Sequence, residues 1–239
     1  VKAADDRSLE EFLKHGILCN DSDIHEWEGK WSLKGDPTEG ALVVAAAKAG
    51  IRLRETRLEN PRVEELPFSS ERKRMTTIHR SGGGQVASMK GAPELVLERC
   101  SRILENGVVR LLTDADRVTV LRANEEMAAE ALRVLAVASR DLPDGIVYDE
   151  DAVENNLVFL GLAGMMDPPR PEAIEAIRVC RQVQIKLVMI TGDHKLTAMS
   201  VAREMGIYQD GDRMMSGEEL ERIPDEEFDR IVNTVSVYA

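Results

Sequence analysis

Several short segments of this chain combine residue types suited to holding a phosphate-bearing or aromatic ligand. Lys186-Leu187-Val188-Met189-Ile190 is an apolar run that stops at Thr191-Gly192-Asp193, and a helical pattern restarts at His194-Lys195. In open α/β sheets ligands collect at the carboxyl ends of strands, and the first amides of the next helix favour an anion. Asp193 can equally cap that helix. Upstream, Asp36-Pro37-Thr38-Glu39 has the order of a helix start, with Asp36 at the cap, Pro37 first and Glu39 third, so Glu39 closes a capping box. Phe68 ends an apolar run with Arg72, Lys73, Arg74 and Met75 just behind it. Aromatics at strand ends are usually core, but the dense cations here favour a ligand contact. In Lys90-Gly91-Ala92-Pro93-Glu94 a strand-end lysine adjoins a residue without a side chain and a helix-opening proline. Such a corner lets a ligand approach the backbone with a cation at hand. Arg133 lies among Ala131, Leu132, Val134 and Leu135, where an ionised guanidinium needs a partner and a buried salt bridge is the ordinary answer.

The elements that must hold these residues fall into two groups. Helical patterns cover 8–20, the stretch from Pro37 to Lys48, a short piece from Pro93 to near Cys100, and 113–132 with Thr113 as cap. Strand patterns cover 63–68, 75–80, 85–90, 134–139 and 157–166, with Ser81-Gly82-Gly83-Gly84 as a tight turn. Trp27 and Trp31 fall in a polar loop between the first two helices. Hairpins flanked by helices predict an antiparallel α+β domain over 1–166. From 167 to 239 the pattern alternates: helix 171–181, strand 185–190, helix 195–205, as in a parallel doubly wound sheet. Asp167-Pro168-Pro169-Arg170 forms the hinge at 167–171, stiffened by its prolines.

Composition removes several function classes. A net charge of −12 over 239 residues argues against nucleic acid or an anionic membrane surface as partner. The longest apolar run, 157–166, is about half of the roughly 20 residues that a membrane helix needs. The first residues lack the layout of a secretory signal. Cys19, Cys100 and Cys180 are far apart, which disfavours a disulfide framework or zinc site and suits reduced thiols in a cytosolic setting. His15, His25, His79 and His194 have no metal-ligand spacing, so no metal site is expected from this chain alone. Ser81-Gly82-Gly83-Gly84 is not a P-loop, since no Gly-Lys-Ser/Thr follows. The acidic run 218–229 reads as a solvated face.

Taken in order, Asp36-Pro37-Thr38-Glu39, Phe68-Ser69-Ser70-Glu71-Arg72-Lys73-Arg74-Met75, Lys90-Gly91-Ala92-Pro93-Glu94, Asp167-Pro168-Pro169-Arg170 and Thr191-Gly192-Asp193 resemble the cytoplasmic ATP-binding region of P-type cation-transporting ATPases, most closely the calcium-pump-like branch. The resemblance implies a nucleotide-binding domain over 1–166 and the first part of a dehalogenase-like phosphorylation domain over 167–239. Neither the family's Asp-Lys-Thr-Gly-Thr nor its Gly-Asp-Gly-x-Asn-Asp occurs here, so the phosphorylated aspartate, and with it any catalytic residue, is expected outside this chain. The resemblance further implies that Phe68 stacks on adenine, that Glu39 approaches the adenine amino group, and that Lys90 and Gly91 line the pocket beside Met75. Arg133 would meet a polyphosphate oxygen while Leu135 packs on the base. Arg72 stands in for the arginine that the family often carries where this chain has Ser70. Arg170 would lie near the nucleotide, while Thr191, Gly192 and Asp193 face the terminal phosphate and its magnesium ion. The implied cofactors are ATP and, in the complete pump, magnesium. The implied partners are the remaining phosphorylation, actuator and membrane domains of the same polypeptide, with this region facing the cytoplasm. Two alternatives stay open: a soluble dehalogenase-type phosphatase, although the Asp-x-Asp strings headed by Asp21, Asp114 and Asp210 read as loop or cap carboxylates and supply no strand-terminal nucleophile, and a free-standing adenine-nucleotide-binding module.

Overall fold

Asp6 begins the first helix: its carboxylate accepts from the amides of Ser8 at 2.9 Å and Leu9 at 3.2 Å, and α1 (Arg7–Leu18) follows. The computed structural model describes residues 6–239 except 131, 167, 168, 193, 194 and 210. It divides into two compact units, Val1–Glu125 with Val134–Met165, and Glu126–Arg133 with Met166–Ala239.

In the first unit α1 leads to a hairpin, β1 (Asp23–Trp27) and β2 (Lys30–Lys34), where the sequence suggested a polar loop. Glu28 and Gly29 both take positive φ, 51° and 73°, the backbone of a two-residue hairpin turn. The strands were hidden in the sequence because their large residues face solvent: Trp27 is 76% and Trp31 66% exposed. Next come α2 (Pro37–Lys48) and α3 (Leu53–Glu59), a highly charged helix that buries no residue and gave no apolar stripe to read. β3 (Arg62–Leu66), β4 (Arg74–Ser81) and β5 (Gly84–Gly91) then pair antiparallel in succession. α4 (Pro93–Glu98) precedes a second unforeseen hairpin, β6 (Cys100–Glu105) and β7 (Val108–Leu111), turned by Asn106-Gly107. α5 (Asp114–Ala129), β8 (Arg133–Leu142), the single-turn α6 (Glu150–Val153) and β9 (Leu157–Met165) follow, with the end of α5 and Arg133 counted in the second unit.

The seven strands run in the order β3-β4-β5-β8-β9-β6-β7. β6 and β9 pair parallel, a departure from the expected antiparallel sheet. α1 and α2 cover one face through Phe12, Leu13, Ile17, Val43 and Ala46, packed with Val137 of β8. Met89, Ala138 and Phe159 pack instead with Val96 and Leu97 of α4, and half-buried Val120 and Leu121 of α5 join them. Strand alternation therefore sends Lys90 to the side of Val137, its partner in register, and Met89 to the opposite side.

The second unit contains α7 (Pro171–Gln182), β10 (Met189–Ile190), α8 (Lys195–Glu204), β11 (Arg213–Met215), α9 (Gly217–Arg222), α10 (Asp225–Ile231) and β12 (Val235–Tyr238). The strands are parallel in the order β10-β12-β11, and Ala198, Ala202 and Val237 form the core. The expected strand 185–190 shortens to Met189–Ile190, because the Ile185 amide instead closes the end of α7 on the Cys180 carbonyl at 2.9 Å. The acidic run becomes α9 and α10, and Glu219 forms a capping box with Ser216.

Candidate functional site

The end of α1 fastens the start of α2 to the middle of the sheet. Asn20 donates its side-chain amide to the Glu39 carbonyl at 2.8 Å, and the Cys19 thiol donates to the Met75 carbonyl at 3.3 Å. Burial pushes that thiol's pKa up, so it stays protonated as a donor. The Cys19 carbonyl accepts from Lys90 Nζ at 2.6 Å, and the same ammonium donates to Glu39 Oε1. Glu39 Oε2 accepts from the Asp21 amide at 2.8 Å. The capping-box expectation for Glu39 is thus corrected: Asp36 caps Thr38 and Glu39 at 2.8 and 3.2 Å, and the Glu39 carboxylate reaches across to β5. Lys90 is only 7% exposed, and a buried ammonium needs such a counter-charge. A carboxylate has about four acceptor positions, so Glu39 can still take a ligand donor.

Gly91 answers to the strand rather than to a ligand. A Cβ there would stand 2.6 Å from both Arg74 Cβ and the Lys73 carbonyl oxygen, so β4 occupies the space that the sequence reading assigned to a ligand. The Ala92 amide donates to that same carbonyl at 2.9 Å. Lys73, with a positive φ of 49°, also donates its amide to the Ser69 carbonyl at 2.7 Å, which closes segment 67–73 and brings Phe68 to the Lys90–Gly91 end of the sheet. Phe68 is 62% exposed, so the core reading of this ring fails. Arg72 is engaged by Glu154 at 2.9 Å and Glu150 at 3.2 Å, and Lys73 beside it is exposed.

Met75 is buried in β4 and pairs in register with Lys90. Leu135 is half-buried and precedes Ala136, the partner of Gly91. Arg133 opens β8 and is exposed, not buried as its apolar neighbours suggested. The structure thus joins Glu39, Met75, Lys90 and Gly91 directly and links the Phe68 segment to them. In the second unit Arg170 occupies the cap position of α7 and is exposed, and Pro169 is half-buried. The Thr191 amide donates to the Tyr238 carbonyl at 3.0 Å, and Gly192 is exposed. Asp167, Pro168 and Asp193 lie outside the described residues. Sequence reasoning missed Cys19, Asn20 and Glu154. Only Glu154 left a trace, since its partners Arg74 and Thr76 alternate as residues sharing one strand face do.

A cleft of about 860 Å³ between the first hairpin and α2–α3 contains none of the expected site residues. Two of its arginines are engaged, Arg52 with Glu55 at 2.6 Å and Arg57 with the carbonyls of Asn20 and Ser22 at 2.8 and 3.1 Å. Of the Asp-x-Asp strings, Asp21 comes after α1 and pairs with Arg62 at 2.7 Å, and Asp114 opens α5 a short way past the end of β7. Asp210 is outside the described residues.

Residues 8–172 match the family model described as P-type ATPase, cytoplasmic domain N. The chain is 41% identical over 227 residues to Calcium-transporting ATPase 1 of Bacillus cereus, a match covering 95% of this chain and 25% of that protein. It is 43% identical over 206 residues to Cation-transporting ATPase pma1 of Synechocystis, covering 85% and 22%. It is 37% identical over 240 residues to the Calcium-transporting ATPase of Bacillus subtilis, covering 100% and 27%. The chain therefore spans about a quarter of the length of these relatives.

Proposed function

Because the chain belongs to the P-type ATPase family, matching its cytoplasmic domain N over most of its length, we propose that it binds ATP and positions it for phosphoryl transfer to an aspartate elsewhere in the same polypeptide. The transfer would drive cation transport, with calcium the cation that two of the relatives' names suggest. Residues 1–166 are then the nucleotide-binding domain and 167–239 the start of the phosphorylation domain, facing the cytoplasm. Among the described residues no helix is long and apolar enough to cross a membrane.

The observation that carries this reading is the exposed Phe68 ring, set on a closed segment at the sheet end where Glu39 and Lys90 meet. An exposed ring offers a stacking face, Glu39 offers an acceptor to the adenine amino group, and Lys90 offers positive charge. Their donor set suits an adenine nucleotide. Leu135 would pack on the base, and Arg133, from the start of β8, would approach the phosphates. By the family resemblance, Arg170, Thr191, Gly192 and Asp193 would serve the phosphorylation domain. Catalysis of this kind rests on positioning and charge neutralisation. Magnesium would accompany ATP in the complete pump. Among the described residues no cluster of three His, Cys, Asp or Glu side chains could hold an ion, so the proposal gives it no ligand set here.

Calorimetric titration of ATP and GTP tests the reading. Stacking of a base on an aromatic contributes about 1–3 kcal/mol, so Phe68→Ala is expected to weaken ATP binding roughly five- to hundred-fold. Glu39→Gln is expected to narrow the preference for ATP over GTP. Unchanged ATP affinity in a folded Phe68→Ala protein would overturn the adenine site.

A further inference from the structure

Glu154 is completely buried and carries a full set of partners. Its Oε1 accepts from Arg72 Nη1 at 2.9 Å and from the Thr76 hydroxyl at 2.7 Å, and its Oε2 accepts from Arg74 Nε at 2.6 Å. The remaining arm of Arg72 donates to the Pro67 carbonyl. One guanidinium thus ties the beginning of segment 67–73 to a carboxylate that also holds the start of β4. Glu154 is itself fixed from behind, because Arg140 Nη1 donates to the carbonyls of Ala152 at 2.8 Å and Asn155 at 2.9 Å on either side of it.

Stability alone does not require this arrangement, since buried ion pairs are often replaced by apolar side chains without loss. What charge adds here is direction: a carboxylate and two guanidinium forks fix geometry that apolar packing leaves loose. We propose that Glu154 and Arg72 are positioning residues of the nucleotide site. They hold segment 67–73 in the shape that offers the Phe68 ring, so Arg72 acts through the adenine contact rather than on phosphate. The inference rests on the stacking role of Phe68. Holding the segment before the ligand arrives removes ordering costs of about 0.5–1.5 kcal/mol per side chain, equivalent to about two- to tenfold in affinity.

The test is NMR titration of the full 239-residue chain with ATP and with adenosine, for the parent, Phe68→Ala, Arg72→Gln, Glu154→Gln and the Phe68→Ala/Arg72→Gln double variant. Arg72→Gln is expected to weaken ATP and adenosine by the same factor, about two- to tenfold, and to add nothing in the Phe68→Ala background. A loss confined to ATP and fading at high salt would make Arg72 a phosphate ligand and overturn the proposal. So would a loss that persists undiminished in the double variant, or no loss while Phe68→Ala weakens binding; in these cases the adenine site itself stands. If Phe68→Ala changes nothing, both the site and this inference fall. Glu154→Gln should repeat the Arg72→Gln pattern. Should it fail to fold by circular dichroism, Arg72→Gln, whose side chain lies nearer solvent, decides the matter alone.

Discussion

His79 shows how burial sets a charge state. Its Nδ1–H donates to the Asn60 carbonyl at 3.0 Å and its Nε2 accepts from the Thr77 hydroxyl at 2.8 Å, a neutral tautomer satisfied on both sides. Burial is the main cause that lowers its pKa from 6.5 to about 4. Between those values the unfolded chain binds a proton that the native imidazole refuses, so this group's contribution to stability is present above 6.5 and is lost as pH falls toward 4. One such proton changes stability by at most about 1.4 kcal/mol per pH unit. Urea denaturation across that window should show His79→Gln with a shallower pH dependence than the parent, and an unchanged slope would reject this account. Of the single residues, the acid at 39, the ring at 68 and the lysine at 90 stood out by type and spacing; the structure pairs Glu39 with Lys90 and leaves Phe68 exposed. Arg72 has its partners far away in sequence, at Glu150 and Glu154, where no local spacing announces them.

Strands and helices were legible where a cap or an apolar alternation announced them. Asp36 and Pro37 fixed α2 to the residue, and the glycine turn after Ser81 joined the two central strands as expected. The two missed hairpins have exposed outer residues and so no alternation, and their turns, Glu28-Gly29 and Asn106-Gly107, were the remaining signal. The carboxylate of Glu39 could not be assigned locally, since helix spacing offers the Asp36 amide but not a lysine four elements further along the chain. Gly91 marks the contact between elements on which the site depends. Adding a methyl group would drive it into the Lys73 carbonyl and Arg74, and backbone cannot move aside as a flexible side chain does. Gly91→Ala is therefore expected to cost about 1–3 kcal/mol, the usual range for overpacking. The urea midpoint should fall with the slope unchanged. ADP affinity should fall as well, because segment 67–73 ends against Gly91.

For the chain taken together, the proposed division of labour makes a prediction about turnover. With the acceptor aspartate elsewhere in the polypeptide, the 239 residues should bind ATP and ADP with similar affinity and hydrolyse neither. Incubation with γ-labelled ATP followed by acid precipitation should leave no label on the protein. Retained label that disappears in Asp21→Asn or Asp114→Asn would point instead to phosphatase-like chemistry. The first hairpin affects how any of this can be watched. Both tryptophans of the chain sit on it, and both are largely hydrated in the native state. Their fluorescence already resembles that of unfolded protein, so an emission scan would register little when the core melts. Trp31 also forms a wall of the 860 Å³ cleft. Intrinsic fluorescence is therefore a local probe of that hairpin, and global unfolding is better followed by far-ultraviolet circular dichroism.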